Sequence, residues 1–377
     1  MCHVIRYRRA LGGVLALAVA VAGVGIVRRD ADASDPVRAI LRRLTTADGA
    51  PGALIETRNG PGRRALTSGV ADVTNGSPVR PGSRFRIGSM TKTFTATVVL
   101  QLVGERRVAL DAPVERYLPG VVGGHGNDGR AITVRQLLQH TSGVPDYLTY
   151  LTPQDVLKDP LAHHDVRDLV DIALAHPPTF RPGTGWRYSN TGYLLAGMLI
   201  ESVTGHSYGE EVDRRIIRPL GLRATSAPGD ASAIPGPHPR GYVRPGEDAP
   251  LRDITAINPS IAGPAGELIS SGADLNRFLG ALVSGRLLRP AQRREMMTTR
   301  PTGGPDGRAY GLGLESRPLP CGGLYWGHTG DIPGFETAGG ATTGGRQASI
   351  MVNLGPGGPD AQSDDMEAAV QTALCAR

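Results

Sequence analysis

A serine and a lysine three residues apart, Ser89 and Lys92, are the first residues whose types and spacing could do chemistry. A helical pattern begins at Thr91, and the i, i+3 spacing places both side chains on one face of a helix. Serine is a poor nucleophile until a neighbour takes its proton, and a desolvated lysine with a lowered pKa can do that. Only two of the 41 basic residues are lysines, Lys92 and Lys158. The pattern is short, and an N-capped helix with a solvated lysine also produces it.

Two later tripeptides could complete such a site. Tyr188-Ser189-Asn190 puts a phenol and an amide on one short loop. A phenol beside a lysine can share a proton relay, and an asparagine can orient both lysine and substrate. His328-Thr329-Gly330 ends a predicted strand, where a glycine on an edge strand lets a substrate backbone lie alongside. Taken alone, the first tripeptide is a loop and the second is a surface histidine before a turn.

The elements that must position these residues follow from hydrophobic periodicity. Two N-terminal strands are predicted at 53–57 and 65–73, joined by a turn at Asn59-Gly60. The 3.6-residue period then predicts helices at 91–103, 134–140, 166–175, 193–204 and 274–283, with a long loop at 230–250. Further strands are predicted at 311–314, 324–328, 335–341 and 347–354, and a closing helix at 364–374.

Strands at both chain ends with helices between them predict an α/β (α+β) fold. One antiparallel sheet assembled from both ends is flanked by helices, and the middle of the chain forms an inserted helical lobe. The expected domain is 34–377, with 34–105 and 255–377 in an α/β lobe and 106–254 in a mainly helical lobe. A hydrophobic content of 40% against 20% charged residues excludes wholesale disorder.

Residues 1–33 have the pattern of an export signal. Arg6, Arg8 and Arg9 precede an apolar run over 11–27, and Ala31-Asp32-Ala33 resembles a cleavage site. The run is long for a signal, so an uncleaved anchor is the alternative, and the Arg8-Arg9 pair hints at twin-arginine export. No later stretch is long enough to cross a bilayer. The sequence therefore predicts a secreted, extracytoplasmic protein with no stable membrane domain after cleavage.

Charge and cysteine content fit the same picture. The net charge of +6 falls to +3 when residues 1–33, with five Arg and two Asp, are removed. No basic cluster with interleaved aromatic residues is present, which argues against a nucleic-acid partner. Cys321 and Cys375 remain as an even pair, so the sequence predicts one disulfide between the closing helix and the strand before His328. Two unrelated buried thiols are the alternative.

The order S-x-x-K, Y-S-N and H-T-G resembles the serine β-lactamase and penicillin-binding-protein family. It is most similar to the branch of class C β-lactamases and secreted D-alanyl-D-alanine carboxypeptidases, and the fold that the resemblance implies is the β-lactamase/transpeptidase-like fold. The resemblance covers nearly the whole mature chain. Its supporting segments are F-R-I-G at 85–88, I-T-V-R-Q-L-L at 132–138, H-T-S-G at 140–143, A-G-M-L-I-E at 196–201 and Y-G-L-G-L at 310–314, together with Cys321 seven residues before His328.

The resemblance implies a catalytic role for five residues. Ser89 attacks a carbonyl and becomes acylated, and Lys92 and Tyr188 move its proton to the leaving amine. Asn190 orients the acyl chain, and His328 supports Tyr188 electrostatically. The chemistry is acyl transfer in two steps, and it needs neither a metal nor a cofactor.

The resemblance implies substrate binding by Thr329, Gly330 and Asp331. The backbone N–H groups of Ser89 and Asp331 are expected to form the oxyanion hole. Water or an acceptor amine then releases the acyl group.

Three departures from the carboxypeptidase pattern concern the substrate. Asp331 stands where those relatives have a small hydroxyl residue. Glu315 follows Gly313-Leu314 where an arginine would hold the terminal carboxylate, and the nearest arginine is Arg317. The stretch 260–266 lacks the expected tryptophan. Because two acids would repel a carboxylate, a neutral ester, an amide or a peptide with a cationic end could fit instead.

Two other patterns offer rival sites. The segment 205–209, G-H-S-Y-G, matches the nucleophile elbow of α/β-hydrolases around Ser207, but a helix precedes it where that motif needs a strand. His163-His164-Asp165 and His176 match no closed zinc pattern, so a solvated helix start is expected there.

The sequence thus predicts an exported serine hydrolase that acts through an acyl-enzyme, as a D-alanyl-D-alanine carboxypeptidase-like peptidase on cell-wall-type peptides. The alternatives are a β-lactamase or a broad esterase or amidase of the same fold, and a penicillin-binding sensor that does not turn over. The expected partner is a small-molecule or peptide substrate, namely a peptidoglycan stem peptide, a β-lactam or an ester. The protein is expected to be a monomer.

Overall fold

The computed structural model describes residues 35–376 except 152, 247, 248, 305 and 357. The predicted signal at 1–33 therefore lies outside the described residues. None of the helices within the described ranges is both long and apolar enough to cross a bilayer. The helices are α1 (Pro36–Thr46), α2 (Thr91–Gly104), α3 (Val134–Leu138), α4 (Pro153–Lys158), α5 (Val166–Leu174), α6 (Thr191–Thr204), α7 (Tyr208–Val212), α8 (Arg218–Leu220), α9 (Gly272–Val283), α10 (Pro290–Met297) and α11 (Asp360–Cys375).

A nine-stranded antiparallel sheet joins the two ends of the chain. Its strands, in chain order, are β1 (Gly52–Asn59), β2 (Gly62–Asp72), β3 (Ser77–Pro78), β4 (Arg300–Pro301), β5 (Ala309–Tyr310), β6 (Glu315–Pro318), β7 (Leu324–Ile332), β8 (Phe335–Thr342) and β9 (Arg346–Val352). They lie side by side in the order β4-β5-β6-β7-β8-β9-β1-β2-β3. Ala53 of β1 pairs with Val352 of β9, which confirms the prediction of a sheet built from both chain ends.

Three short ladders lie outside this sheet. Phe85–Arg86 pairs with Ile269–Ser270, which ties the segment just before Ser89 to the segment after 260–266. The other two ladders join Gly123–Gly124 to Asn127–Asp128 and Tyr242–Val243 to Arg252–Asp253. The last of these interrupts the region predicted to be a long loop.

Alternation along the strands divides the core into two layers. Ala53 and Ile55 of β1 face the layer that contains α1 and α11, whereas Leu54 faces the layer that contains α2, α6 and α9. Burying one such aliphatic side chain contributes about 1.5–3 kcal/mol, so the alternation fixes which face meets which helices. The disulfide between Cys321 and Cys375 is present and joins the loop before β7 to the end of α11.

Helix α2 lies inside the protein and is buried almost all round its first three turns. The sequence predicts an apolar stripe that includes Phe94, and the ring of Phe94 stacks on Phe278 of α9 with centroids 3.6 Å apart. Lys92 and the four threonines of α2 are buried as well, namely Thr91, Thr93, Thr95 and Thr97. This burial takes Lys92 out of water.

The predicted strand at 311–314 is wrong. The backbone there turns: Gly311 N–H donates to Leu314 O at 2.8 Å, and Gly313 has a φ of 71°. A Cβ on Gly313 would lie 2.5 Å from the Cβ of Ala96, so the chain can reverse against α2 only with glycine at this position. The flanking residues form β5 and β6 instead.

Candidate active site

Ser89 lies in a 3₁₀ turn, Gly88–Met90, at the N-terminal end of α2, and this turn packs against β7. Gly88 has a φ of 49°, and a Cβ there would lie 2.5 Å from Asp331 N. A Cβ on Gly330 would lie 2.0 Å from Ile87 O. The two glycines therefore allow the serine turn and β7 to meet backbone against backbone, which places Ser89 beside the H-T-G segment.

Lys92 has no solvent exposure and makes three close polar contacts. Its Nζ lies 2.8 Å from Ser89 Oγ, 2.7 Å from Asn190 Oδ1 and 2.8 Å from the carbonyl oxygen of Ala265. The amide and carbonyl oxygens can only accept, whereas the serine hydroxyl can accept or donate. A neutral amine with two N–H donors and one lone pair is therefore fully satisfied when Ser89 donates to it. That is the arrangement a general base requires.

The electrostatics of this pocket favour the neutral amine. Burial lowers the pKa of Lys92 to about 7, and the Asp146 carboxylate opposes that shift. Asp146 acts through Asn190, whose Nδ2 donates to Asp146 Oδ2 at 2.9 Å. This hydrogen bond also fixes the Asn190 amide with its oxygen toward Lys92. Burial raises the pKa of Asp146, because a buried carboxylate loses its hydration.

Tyr188 is the third group around the nucleophile. Its ring centroid is 4.8 Å from Lys92 Nζ, and Tyr188 and Ser89 line the same cavity. Desolvation is the main reason why the pKa of Tyr188 lies well above its usual value. The phenol is therefore protonated at neutral pH and can pass a proton onward as Ser89 loses its own.

His328 on β7 is buried and neutral. Burial lowers its pKa to about 4. Its Nδ1 is 2.5 Å from Thr329 O, and its Nε2 is 2.8 Å from the Tyr310 hydroxyl. Its ring centroid is 6.4 Å from that of Tyr188. The electrostatic support of Tyr188 by His328 stays a prediction, and at neutral pH it would come from an uncharged ring.

A cavity of about 320 Å³ opens beside Ser89. Tyr188, Asn190 and Asp331 line it, whereas the predicted binding residues Thr329 and Gly330 of β7 do not. Among the described residues no Lys, Arg or His side chain lines this cavity. The rest of its wall is mainly apolar and includes Leu148, Leu151, Val156, Ile261, Ala262, Ile332 and Pro333.

Comparison with known proteins agrees with this geometry. The beta-lactamase family model matches residues 37–373. The chain belongs to the beta-lactamase family. The solved D-stereospecific amidohydrolase from Streptomyces sp. is 43% identical, with a TM-score of 0.81 over 89% of this chain and 97% of that one. The D-amino acid amidase from Ochrobactrum anthropi SV3 is 30% identical, with a TM-score of 0.78 over 90% of this chain and 96% of that one.

A curated relative, penicillin-binding protein 4* of Bacillus subtilis, is 28% identical over 285 residues. That match covers 71% of this chain and 60% of the relative, so the chain spans about three fifths of the relative's length. These findings confirm the resemblance to serine β-lactamases and penicillin-binding proteins, and the β-lactamase/transpeptidase-like fold.

The two acids that depart from the carboxypeptidase pattern have different environments. Glu315 is not a free acid, because Arg317 Nε and Nη2 donate to its Oε2 at 3.0 and 2.9 Å. Arg317 also pairs with Glu367, so its guanidinium is engaged away from the cavity. The expected repulsion by Glu315 is therefore wrong. Asp331 opens to the cavity, and the protein atoms around it, with the Glu336 carboxylate, raise its pKa to about 7.

The rival patterns have structural roles. Ser207 caps α7, since its Oγ accepts from Glu210 N at 3.2 Å, and Glu210 Oε2 accepts from Ser207 N at 2.8 Å. Ser207 and His163 line a second cavity of about 470 Å³ that contains neither Ser89 nor its partners. His163 Nδ1 lies 2.6 Å from Asp230 Oδ1, and His176 stacks on Tyr150 at 3.5 Å.

Sequence reasoning missed four contributors to the site. Asp146 lies in no recognised motif, and only the tertiary structure shows that it accepts a hydrogen bond from Asn190. The sequence gives no signal for the Ala265 carbonyl, because every residue has a backbone carbonyl oxygen. His140 and Tyr310 lie in segments that support the family resemblance, H-T-S-G and Y-G-L-G-L, and this could have singled them out.

Proposed function

We propose that the protein is an exported serine amidohydrolase that forms an acyl-enzyme on Ser89. It hydrolyses amides and esters of apolar amino acids with a free α-amino group. The cavity beside Ser89 carries the proposal: its wall is apolar, Asp331 is the one acid that lines it within the described residues, and no basic side chain there could hold a carboxylate. An apolar side chain fits the wall, and an ammonium group fits Asp331.

The proposed reaction begins with Lys92 taking the Ser89 proton. Ser89 Oγ forms a bond to the carbonyl carbon, and the backbone N–H groups of Ser89 and Asp331 stabilise the oxyanion. Tyr188 gives its proton to the leaving amine or alkoxide as the amide or ester bond breaks, and it regains a proton from Lys92. Water then attacks the acyl-enzyme by the reverse route, which releases the acid and restores Ser89.

The proposed configuration of the amino acid is D. The support is similarity to the D-stereospecific amidohydrolase and the D-amino acid amidase, each of which matches about nine tenths of this chain. A second candidate is the D-alanyl-D-alanine carboxypeptidase-like activity predicted from sequence. The close approach of β7 to the serine turn favours it, because a peptide could lie alongside that strand.

Hydrolysis of matched substrates tests the proposal. We expect turnover of D-phenylalanine amide to exceed that of N-acetyl-D-phenylalanine amide by about tenfold, because acetylation removes the charge that meets Asp331. Asp331→Asn should remove this preference and leave hydrolysis of p-nitrophenyl acetate within about twofold. Ser89→Ala should abolish all three reactions.

Other substrates decide between the candidates. Faster turnover of a diacetyl-Lys-D-Ala-D-Ala peptide than of the amide would favour the carboxypeptidase. Rapid nitrocefin hydrolysis would favour a β-lactamase, and a lasting penicillin adduct without turnover would favour a sensor. Equal rates on the free and acetylated amides would contradict the role given to Asp331.

Export by residues 1–33 is part of the proposal. The disulfide between Cys321 and Cys375 supports it, because such bonds persist in oxidising compartments. We expect the full-length protein to appear outside the cytoplasm with an N-terminus near Ser34. A version without residues 1–33 should stay inside the cell.

A further inference from the structure

His140 is completely enclosed beside Tyr188. Only 1% of its surface is exposed, and its ring centroid lies 4.3 Å from that of Tyr188 and 4.6 Å from that of Tyr310. Tyr310 in turn contacts His328. His140 therefore packs at the back of the catalytic tyrosine, although it does not line the cavity.

Two backbone hydrogen bonds join His140 to the loop that carries Tyr188. The Arg187 N–H donates to the carbonyl oxygen of His140 at 3.0 Å. The Ser189 N–H donates to His140 Nδ1 at 3.2 Å. These two donors flank Tyr188 in the chain, so His140 accepts a hydrogen bond from the residue on each side of Tyr188.

The backbone of His140 makes this double contact possible. Its φ is 61°, a left-handed conformation in which Asn, Asp and His are enriched. It follows the last residues of α3, where Thr141 N–H donates to Gln136 O at 3.0 Å. The left-handed residue ends the helix and directs both the carbonyl and the imidazole toward the 187–189 segment.

The protonation state of His140 allows it to position the loop that carries Tyr188 but not to relay a proton. Burial lowers its pKa well below the usual value. Because Nδ1 accepts a hydrogen bond, the neutral ring carries its proton on Nε2, which has no hydrogen-bond partner among the described residues. A buried N–H without a partner is costly, and it gives the ring no route for passing a proton to Ser89.

We propose that His140 is a positioning residue: its Nδ1 and its carbonyl hold the peptide groups on either side of Tyr188, so that the phenol stays at Ser89. The consequence for catalysis rests on the proposed function, in which Tyr188 relays the proton. The placement of the loop does not depend on it. Two separate measurements can therefore test the two parts.

The test compares two substitutions of nearly equal size. His140→Leu removes the acceptor for Ser189 N–H. His140→Asn puts a carbonyl oxygen at the same number of bonds from Cα as Nδ1, and asparagine tolerates a positive φ. His125 is an exposed residue with a φ of 51°, so His125→Leu is a control for the backbone strain alone.

Loop placement is measured by hydrogen–deuterium exchange of the Ser189 amide. We expect exchange to be faster in His140→Leu by at least about tenfold and to be slow in wild type, His140→Asn and His125→Leu. Acylation is measured as the p-nitrophenol burst per folded enzyme with p-nitrophenyl acetate. His140→Leu should lower kcat by about tenfold or more with KM within about threefold, and His140→Asn should recover most of the rate.

Each outcome bears on the proposal. Unchanged exchange at Ser189 in His140→Leu would overturn the positioning role, and equal losses of rate in the Leu and Asn variants would do the same. If His140→Leu does not fold, folded His140→Asn decides alone: a loss of more than about tenfold in kcat contradicts the proposal. If Ser89→Ala hydrolysed p-nitrophenyl acetate as fast as wild type, the proposed function would be refuted, while the exchange experiment would still test placement.

Discussion

The charge of Asp146 should set the pH at which the enzyme becomes active. Asp146 reaches Lys92 through Asn190, over hydrogen bonds of 2.9 and 2.7 Å. Asp146→Asn keeps the size of the side chain but removes the charge and one of its two acceptor oxygens. Asp146 Oδ2 accepts from Asn190 and Oδ1 accepts from Leu148 N–H at 3.2 Å, so the amide oxygen can keep only one of these hydrogen bonds.

The size of the effect follows from the geometry. Two hydrogen bonds and one amide group separate the carboxylate from Lys92 Nζ by about 6–8 Å, which at an effective dielectric constant of about 20 corresponds to roughly 2 kcal/mol. Burial raises the pKa of Asp146 and so opposes its ionisation, which makes this figure an upper bound on the effect. The anion favours the charged amine, so removing it lowers the pKa of Lys92 further below its present value of about 7.

The assay is kcat/KM against pH with p-nitrophenyl acetate, a neutral substrate that does not need the side-chain carboxylate of Asp331. Activity requires the neutral amine, so wild type should gain activity as pH rises through about 7. In Asp146→Asn the midpoint should fall by about one pH unit. Asp128→Asn removes an exposed acid paired with Arg130 and should leave the midpoint unchanged.

An unmoved midpoint in Asp146→Asn would show that Lys92 does not feel this charge. A midpoint that moves upward would refute the sign of the argument. Either result would contradict the electrostatic coupling of Asp146 to a Lys92 that acts as the base.

Three other substitutions test the nucleophile assignment, the backbone contact behind it and the disulfide. Ser207→Ala should cost about 1 kcal/mol of unfolding free energy through the lost helix cap and leave hydrolysis intact, and loss of the acyl adduct would reinstate the rival nucleophile. Gly330→Ala should lower kcat about 100-fold, because its Cβ would lie 2.0 Å from Ile87 O, while Gly123→Ala, with open space around it, should have no effect; equal rates in the two would contradict the contact. Cys321→Ser opens a disulfide with a sequence separation of 54 and should lower the unfolding free energy by about 4 kcal/mol in urea denaturation, and an unchanged midpoint would count against it.

Local spacing determined the centre of the site. Ser89 and Lys92 lie within one helical turn, so the sequence alone brings them together, and the structure confirms the contact at 2.8 Å. The apolar run that begins at Ala53 and the turn signal Asn59-Gly60 likewise predicted the hairpin of β1 and β2, because a short turn joins two neighbouring antiparallel strands. The predicted strand at 311–314 failed because alternating glycine and leucine also describes a turn, and only the approach of Gly313 to Ala96 decides between them.

The charges at the site were decided by tertiary contacts. The sequence places Glu315 and Asp331 near the H-T-G segment, and from sequence both are acids that would repel a carboxylate. In the fold, Arg317 neutralises Glu315, while Asp331 opens to the cavity with a pKa raised to about 7. The type of a residue determines which group can ionise. Burial and contacts with residues distant in the chain determine whether that group carries a charge. The sequence alone therefore predicted acyl-transfer chemistry from the spacing of Ser89 and Lys92, and the tertiary structure decided which charges line the cavity beside them.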